Sequence, residues 1–126
     1  MKKQIVSKEA PAAIGAYSQA IKKGDLIFTS GQIPIDPETS AMVEQDIEKQ
    51  TVQVLENLKY VLKEAGSNFD QIIKATIYLS DLNNFSKVNE IYKDYFPDIP
   101  PARSCVEVSK LPKDSLVEIE VIAFNE

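Results

Sequence analysis

The clearest pattern in the chain runs from Asp46 to Ala65, where Ile47, Val54, Leu55, Leu58, Val61, Leu62 and Ala65 recur three and four residues apart, separated by lysines and glutamates. That period gathers the apolar side chains on one stripe and predicts an amphipathic helix. Its ends carry matching chemistry: Asp46 suits the N-cap, Glu48 favours the positive end of the dipole, and Gly66 suits the residue just past the C-terminus. A shorter period follows. Ile73, Ala75, Ile77 and Leu79 alternate with Lys74, Thr76, Tyr78 and Ser80, which predicts a strand. Helical spacing returns in Phe85, Val88, Ile91, Tyr92 and Tyr95, with Asn84 as the expected cap, Asn89 beside the stripe, and Pro97 and Pro100 as the stop.

Nearer the N-terminus, Ala20-Ile21 and Leu26-Ile27-Phe28-Thr29 flank the polar Lys22-Lys23-Gly24-Asp25, the signature of two antiparallel strands joined by a tight turn. The second strand is expected to run into Ser30-Gly31-Gln32-Ile33-Pro34, ahead of the loop residues Asp36-Pro37-Glu38-Thr39-Ser40. Two final strands, Arg103 to Ser109 and Leu116 to Phe124, are joined by a polar segment. The predicted order is strand, strand, helix, strand, helix, strand, strand, and two helices on one sheet make an α+β sandwich. In the last strand Val117, Ile119, Val121 and Ala123 form one face while Leu116, Ile122 and Phe124 occupy the other. Two helices cover only one face, so the second is expected to meet another subunit.

Composition sharpens this picture by exclusion. A chain of 126 residues, 44% hydrophobic, is expected to form a single domain over residues 1–126. A net charge of −5 opposes non-specific binding to nucleic acid and to anionic membranes, and the pairs Lys2-Lys3 and Lys22-Lys23 are expected to be solvated ends. A single cysteine, no signal-like apolar stretch and no membrane-length apolar window lead to the expectation of a soluble, cytoplasmic, reduced protein. With no histidine and one thiol, one chain cannot build a nitrogen-and-sulfur zinc site or a Cys-His or Ser-His-Asp group. Neither of the two common glycine-rich nucleotide-binding motifs is present. Any catalysis must therefore use carboxylates, hydroxyls, backbone groups and one arginine.

That arginine is Arg103, alone among fourteen cationic residues and set in Pro100-Pro101-Ala102-Arg103-Ser104-Cys105. Its planar fork suits a carboxylate or phosphate through two parallel hydrogen bonds. Strand alternation puts Arg103, Cys105 and Glu107 on one side, and likewise pairs Glu118 with Glu120, whose Cα atoms lie roughly 6.5–7 Å apart. That pair suits acid and base chemistry or a solvated strand face; Leu116 and Ile122 beside Glu118 point to its partial burial. Cys105 reads as a small buried hydrophobe more readily than as a nucleophile, since no histidine is available to activate it. The hydroxyls of Tyr17-Ser18 and Thr29-Ser30 suit ligand orientation or local backbone bonding, and Gly31 suits close ligand approach or a turn. So modest a toolkit fits a substrate that is already reactive, such as a carboxylate-bearing imine, whose electrophilic carbon accepts water readily.

The segments Ala12-Ala13-Ile14-Gly15-Ala16-Tyr17-Ser18-Gln19, Thr29-Ser30-Gly31-Gln32-Ile33-Pro34, Pro101-Ala102-Arg103-Ser104-Cys105-Val106-Glu107-Val108, Leu111-Pro112-Lys113-Asp114 and Val117-Glu118-Ile119-Glu120 resemble, in order and spacing, the RidA (YjgF-like) family. The resemblance implies a chorismate-mutase-like mixed sheet with two helices on one face, assembled as a homotrimeric barrel with clefts between subunits. It implies 2-iminobutanoate/2-iminopropanoate deaminase activity on the products of pyridoxal-phosphate-dependent threonine and serine dehydratases, giving 2-keto acids and ammonia without cofactor or metal. By the same resemblance Arg103 holds the substrate carboxylate, the Cys105 backbone contacts substrate or water, and Glu118 positions the water. Tyr17, Ser30, Gly31 and Asn89 match pocket positions. Proximity to Arg103 would lower the Glu118 pKa and desolvation would raise it. Ala16 departs from the family, which commonly has proline there, and leaves the Tyr17 loop less rigid. The family also includes ribonuclease-type translation inhibitors, chaperone-like holdases and regulators, so a carboxylate-binding regulatory trimer is the main alternative; an acidic chain with one arginine is poorly suited to RNA.

Overall fold

The computed structural model describes residues 1–126. Its six strands are β1 (Lys3–Ile5), β2 (Ala20–Lys23), β3 (Leu26–Thr29), β4 (Ile72–Leu79), β5 (Ala102–Glu107) and β6 (Val117–Phe124), and its two long helices are α1 (Ile47–Glu64) and α2 (Phe85–Asp94). The strands form one sheet in the order β1-β2-β3-β6-β4-β5, antiparallel throughout except for the parallel pair β4 and β5. The intervening α2 makes that parallel connection possible, because strands running the same way need a crossover. The α+β mixed sheet expected from the sequence is thus present.

Strand β6 lies at the centre because alternate residues suit burial: Val117, Ile119, Val121 and Ala123 are at most 4% exposed. Against that face α1 packs Val54, Leu55, Leu58, Val61 and Leu62, and α2 adds Val88 and Tyr92. Burying an aliphatic side chain of this kind contributes about 1.5–3 kcal/mol relative to exposure. The opposite face keeps Leu26 and Phe28 of β3 exposed, with Ile122 and Phe124 of β6 half-buried.

Three buried amides tie the loops to this core. Gln19 donates from Nε2 to the carbonyls of Ser7 and Pro11 and accepts from the Ser7 N–H, which pins the N-terminal loop. Asn57 donates to the Ile33 and Ile35 carbonyls, and Gln50 accepts from the Leu116 N–H while donating to the Val43 and Glu44 carbonyls. Buried amides satisfied this fully fix loop positions, since losing a partner leaves an expensive orphan.

The structure corrects several sequence expectations. Strand β1 is additional: Lys3 pairs with Lys22, so the two basic pairs expected as solvated ends contribute to strands, and Ile5 alone of the three residues is buried. Strand β3 stops at Thr29, and Gln32 rejoins the sheet only as an isolated bridge to Ile119. A bulge between Ile72 and Lys74 gives the buried position to Ile72 and leaves Ile73 45% exposed. Strand β5 ends at Glu107, and β6 begins at Val117. Asn84 makes no side-chain cap; it ends a short 3₁₀ turn (Leu82–Asn84) that is capped by Asp81, whose carboxylate accepts from the Asn83 N–H at 2.9 Å.

At α1 the expected caps are in place: Asp46 accepts from the Lys49 N–H at 2.9 Å, and Gly66 follows the helix with φ 80°. Asp46→Ala is expected to destabilise the fold by about 1 kcal/mol, the usual cost of losing an N-cap. Asn84→Ala, which removes no cap, should remain within about 0.5 kcal/mol of wild type. Urea denaturation checks both, and equal losses would contradict the capping assignment.

Candidate active site

Alternation along β5 places Arg103 and Cys105 on the side of the sheet covered by the helices, because Arg103 pairs with the buried Ala75 and Cys105 with the buried Ile77. There the guanidinium meets α2. Its Nη1 donates to Asn89 Oδ1 at 2.7 Å, and its central carbon lies 5.2 Å from the Phe85 ring centroid and 5.1 Å from that of Tyr92. All four ion pairs in the chain are made by lysines, so Arg103 has no carboxylate partner. Asn89, Tyr92, Lys93, Phe96, Pro100, Pro101 and Arg103 line a cleft of ≈ 390 Å³. Burial pushes the Tyr92 phenol up to about 12 against the opposing effect of Arg103, and its hydroxyl is enclosed without a hydrogen-bond partner. The Cys105 thiol is raised by burial more than Arg103 lowers it, which agrees with an unactivated side chain.

Glu118 lies in a second cleft. On β6 it alternates with the buried Val117 and Ile119, and it pairs with Tyr78 of β4, so it projects from the face the helices leave open. Tyr17, Ser30, Gly31, Gln32, Lys113 and Glu118 are among the residues lining this ≈ 490 Å³ cleft. Burial raises the Glu118 pKa above its ordinary value, and the Glu120 carboxylate on the same face adds to the rise. Glu120 accepts from the Tyr78 hydroxyl at 3.1 Å, so it is partnered on the sheet rather than free in solvent.

Gly31 leaves room for the Glu118 side chain as it is placed: a Cβ there would lie 2.8 Å from Glu118 Cδ and 3.0 Å from Cγ, and closer still to Oε2. The Ser30 hydroxyl donates to the Ser18 carbonyl at 2.6 Å, and the Tyr17 hydroxyl accepts from the Ile14 N–H at 3.3 Å. Both hydroxyls therefore serve the loop that forms the cleft wall. Lys113, which sequence reasoning missed, is presented by a strained turn in which it and Asp114 both have φ 55°, a region non-glycine residues seldom occupy. The Leu111-Pro112-Lys113-Asp114 motif was the available signal, but its direction was not readable from sequence.

The candidate residues thus form two groups. Tyr17, Ser30, Gly31 and Glu118 share one cleft, and Arg103 and Asn89 share another with Cys105 beside them; the two clefts have no lining residue in common. Strand β4 separates β6 from β5 and the groups face opposite sides of the sheet, so Arg103 and Glu118 of one copy do not meet. No cluster of three or more histidine, cysteine, aspartate or glutamate residues suitable for a metal is present.

Residues 7–125 match the model of the endoribonuclease L-PSP family. A 2-iminobutanoate/2-iminopropanoate deaminase of Salmonella typhimurium is 48% identical over 128 residues, covering 99% of each chain. Among solved structures, a conserved Rid-family protein of unknown function from Yersinia pestis superposes with a TM-score of 0.97 at 58% identity, covering 98% of this chain and 99% of that one. E. coli TdcF, solved with bound serine, gives 0.94 at 43% identity over 98% of this chain and 99% of its own.

Gly31→Ala tests how the Glu118 carboxylate is held. The backbone at Gly31 suits other residues and the clash falls on the end of a flexible side chain, so stability should stay within about 1 kcal/mol of wild type. Displaced from its enclosed position, the Glu118 carboxyl should titrate closer to the ordinary carboxylate range. An NMR titration of its carboxyl carbon that matches wild type would refute this account of the pair.

Proposed function

The chain belongs to the endoribonuclease L-PSP family, which includes the RidA-type deaminases, and from that premise we propose that it hydrolyses small reactive 2-imino acids to 2-keto acids and ammonia. The observation that carries this proposal is the state of Arg103: the only arginine is held in place by α2, faces a cleft, and has no acidic partner within the chain. A small carboxylate fits that vacancy through charge-assisted bonds. The relatives act on or bind molecules with such a group, namely imino acids for the Salmonella deaminase and serine for E. coli TdcF.

The chemistry needs no cofactor. Arg103 holds the carboxylate, and the enamine form takes a proton at C3 and releases one from nitrogen to become the imine. The imine nitrogen takes a proton from solvent and water adds to C2; Glu118, as carboxylate, accepts a proton from that water and passes it to the amine. The C–N bond then breaks, ammonia leaves, and the hydroxyl gives its proton back to the Glu118 carboxylate and on to solvent as C2 becomes the carbonyl. The backbone at Cys105 lies on edge strand β5, where one row of backbone groups is free to contact substrate or water. Dehydratases that release enamines from serine or threonine are the fitting source of substrate.

Because Arg103 and Glu118 lie on opposite faces, the complete site is proposed to form between copies, with Arg103 of one meeting Glu118 of the next in a homotrimer. The open face around Leu26, Phe28, Ile122 and Phe124 supplies apolar surface for such an assembly. Phe28→Asp would place an unpaired charge in that contact, at a cost of several kcal/mol. It should convert a species of three times the chain mass by light scattering into a monomer and abolish turnover, whereas an active monomer would overturn the inter-copy site.

The activity is tested by coupling the protein to a threonine dehydratase and following imine decay and 2-ketobutyrate release. Arg103→Lys keeps the charge but loses the fork, and is expected to lower kcat/KM about ten- to a hundredfold. Glu118→Gln should lower kcat about a hundredfold or more. It should also remove the acid limb, along which the wild-type rate falls as protonation of Glu118 destroys the base. Wild-type protein no faster than buffer would end the enzymatic claim. If it then still bound serine, the site would be one that binds carboxylates without turnover, a reading favoured by the serine in E. coli TdcF.

A further inference from the structure

Three contacts to Arg103 fall on one stripe of α2. Phe85, Asn89 and Tyr92 are spaced i, i+4 and i+7, which brings them to the same helix face. Two residues seven apart on a helix are separated by about 10.5 Å along its axis. The guanidinium carbon lies 5.2 Å from one ring centroid and 5.1 Å from the other, so it is about equidistant from the two rings. Asn89 takes Nη1 from between the rings and leaves Nη2 and Nε without a partner in the chain.

We propose that Phe85 and Tyr92 are positioning residues for Arg103, clamping the guanidinium between their rings so that its free donors face a substrate carboxylate. This deepens the deaminase reading and rests on it for the identity of the ligand. The clamp is itself braced: Tyr92 packs on Phe96 at 4.7 Å between centroids, and Phe96 packs on Phe69 at 5.4 Å. A planar cation between two aromatic faces gains from both quadrupoles. It also loses less freedom when it binds, because its orientation is already set. A lysine ammonium on a flexible stem has neither the plane nor the fork to exploit such a clamp. The Tyr92 hydroxyl has no hydrogen-bond partner, so the ring is the part that acts on Arg103.

The single arginine makes this directly observable, since the protein has one arginine Nε–H signal for nitrogen-15 NMR. In wild type that cross-peak should be sharp and displaced by the ring currents, and Tyr92→Phe should leave it so. Phe85→Leu and Tyr92→Leu should each move it toward the position of free arginine. Both leucine variants should raise KM for the imine and the Kd for 2-ketobutyrate about three- to tenfold, with kcat within about twofold of wild type. Tyr92→Phe should match wild type in both. If Tyr92→Leu fails to fold, Phe85→Leu carries the test, because Phe85 is only partly buried at the start of α2. A wild-type signal at the free-arginine position, or leucine variants that lower kcat at unchanged KM, would overturn the clamp. A displaced signal in a protein without turnover would instead sustain the clamp and overturn the deaminase reading.

Discussion

Alternation along paired strands is the constraint on which the site depends. Once β6 commits Val117, Ile119, Val121 and Ala123 to the helices, Glu118 must project from the other face. Once β5 pairs in parallel with β4, Arg103 must share a side with Ala75 and turn toward α2. The core-forming pattern therefore separates the only arginine from the half-buried glutamate. A single fold secures both residues, and the assembly proposed above would bring them together with no strain on either strand.

The two halves differ in how they are held. Arg103 is fixed by side chains, through the Asn89 hydrogen bond and two aromatic faces on one helix. Glu118 is fixed by space: glycine at position 31 leaves room for its carboxylate, and a wall tied down by Gln19 and the Ser30 hydroxyl encloses the cleft. Enclosure raises the proton affinity of Glu118, which makes it a better base than an exposed carboxylate. Desolvation favours the protonated form, and a guanidinium brought close by the proposed assembly would oppose that tendency.

Much of the fold was legible because its signals were redundant. Helix α1 announced itself by period, by Asp46 and by Gly66, and β6 by strict alternation. Strand β1 was not, since three residues with one buried apolar member make no pattern, and its place is set by backbone pairing to β2. Asn84 offered the right chemistry for a cap, but the chain turns three residues earlier at Asp81. Arg103 was singled out by rarity and Glu118 by its apolar neighbours. Their separation across the sheet depends on the parallel register of β5, which alternation within one strand does not specify. Phe85 and Tyr92 read as core stripe residues because helical spacing is the same whether a ring faces leucine or a guanidinium.

The charge distribution bears on which anions such a site accepts. With a net charge of −5, the chain as a whole repels polyanions, and this repulsion acts over about one Debye length, roughly 8 Å at physiological salt. Attraction is confined to contact range, around Arg103 in one cleft and around Lys113 in the other. A long phosphate backbone would meet too few cations here to offset the surrounding carboxylates, because its binding grows with the number of phosphates neutralised. A molecule with a single carboxylate needs only one grip. Its small size lets it pass the acidic surface with little penalty and gain the full charge-assisted bond once inside. The same electrostatics that disfavours RNA thus suits the small monoanionic acids proposed as substrates.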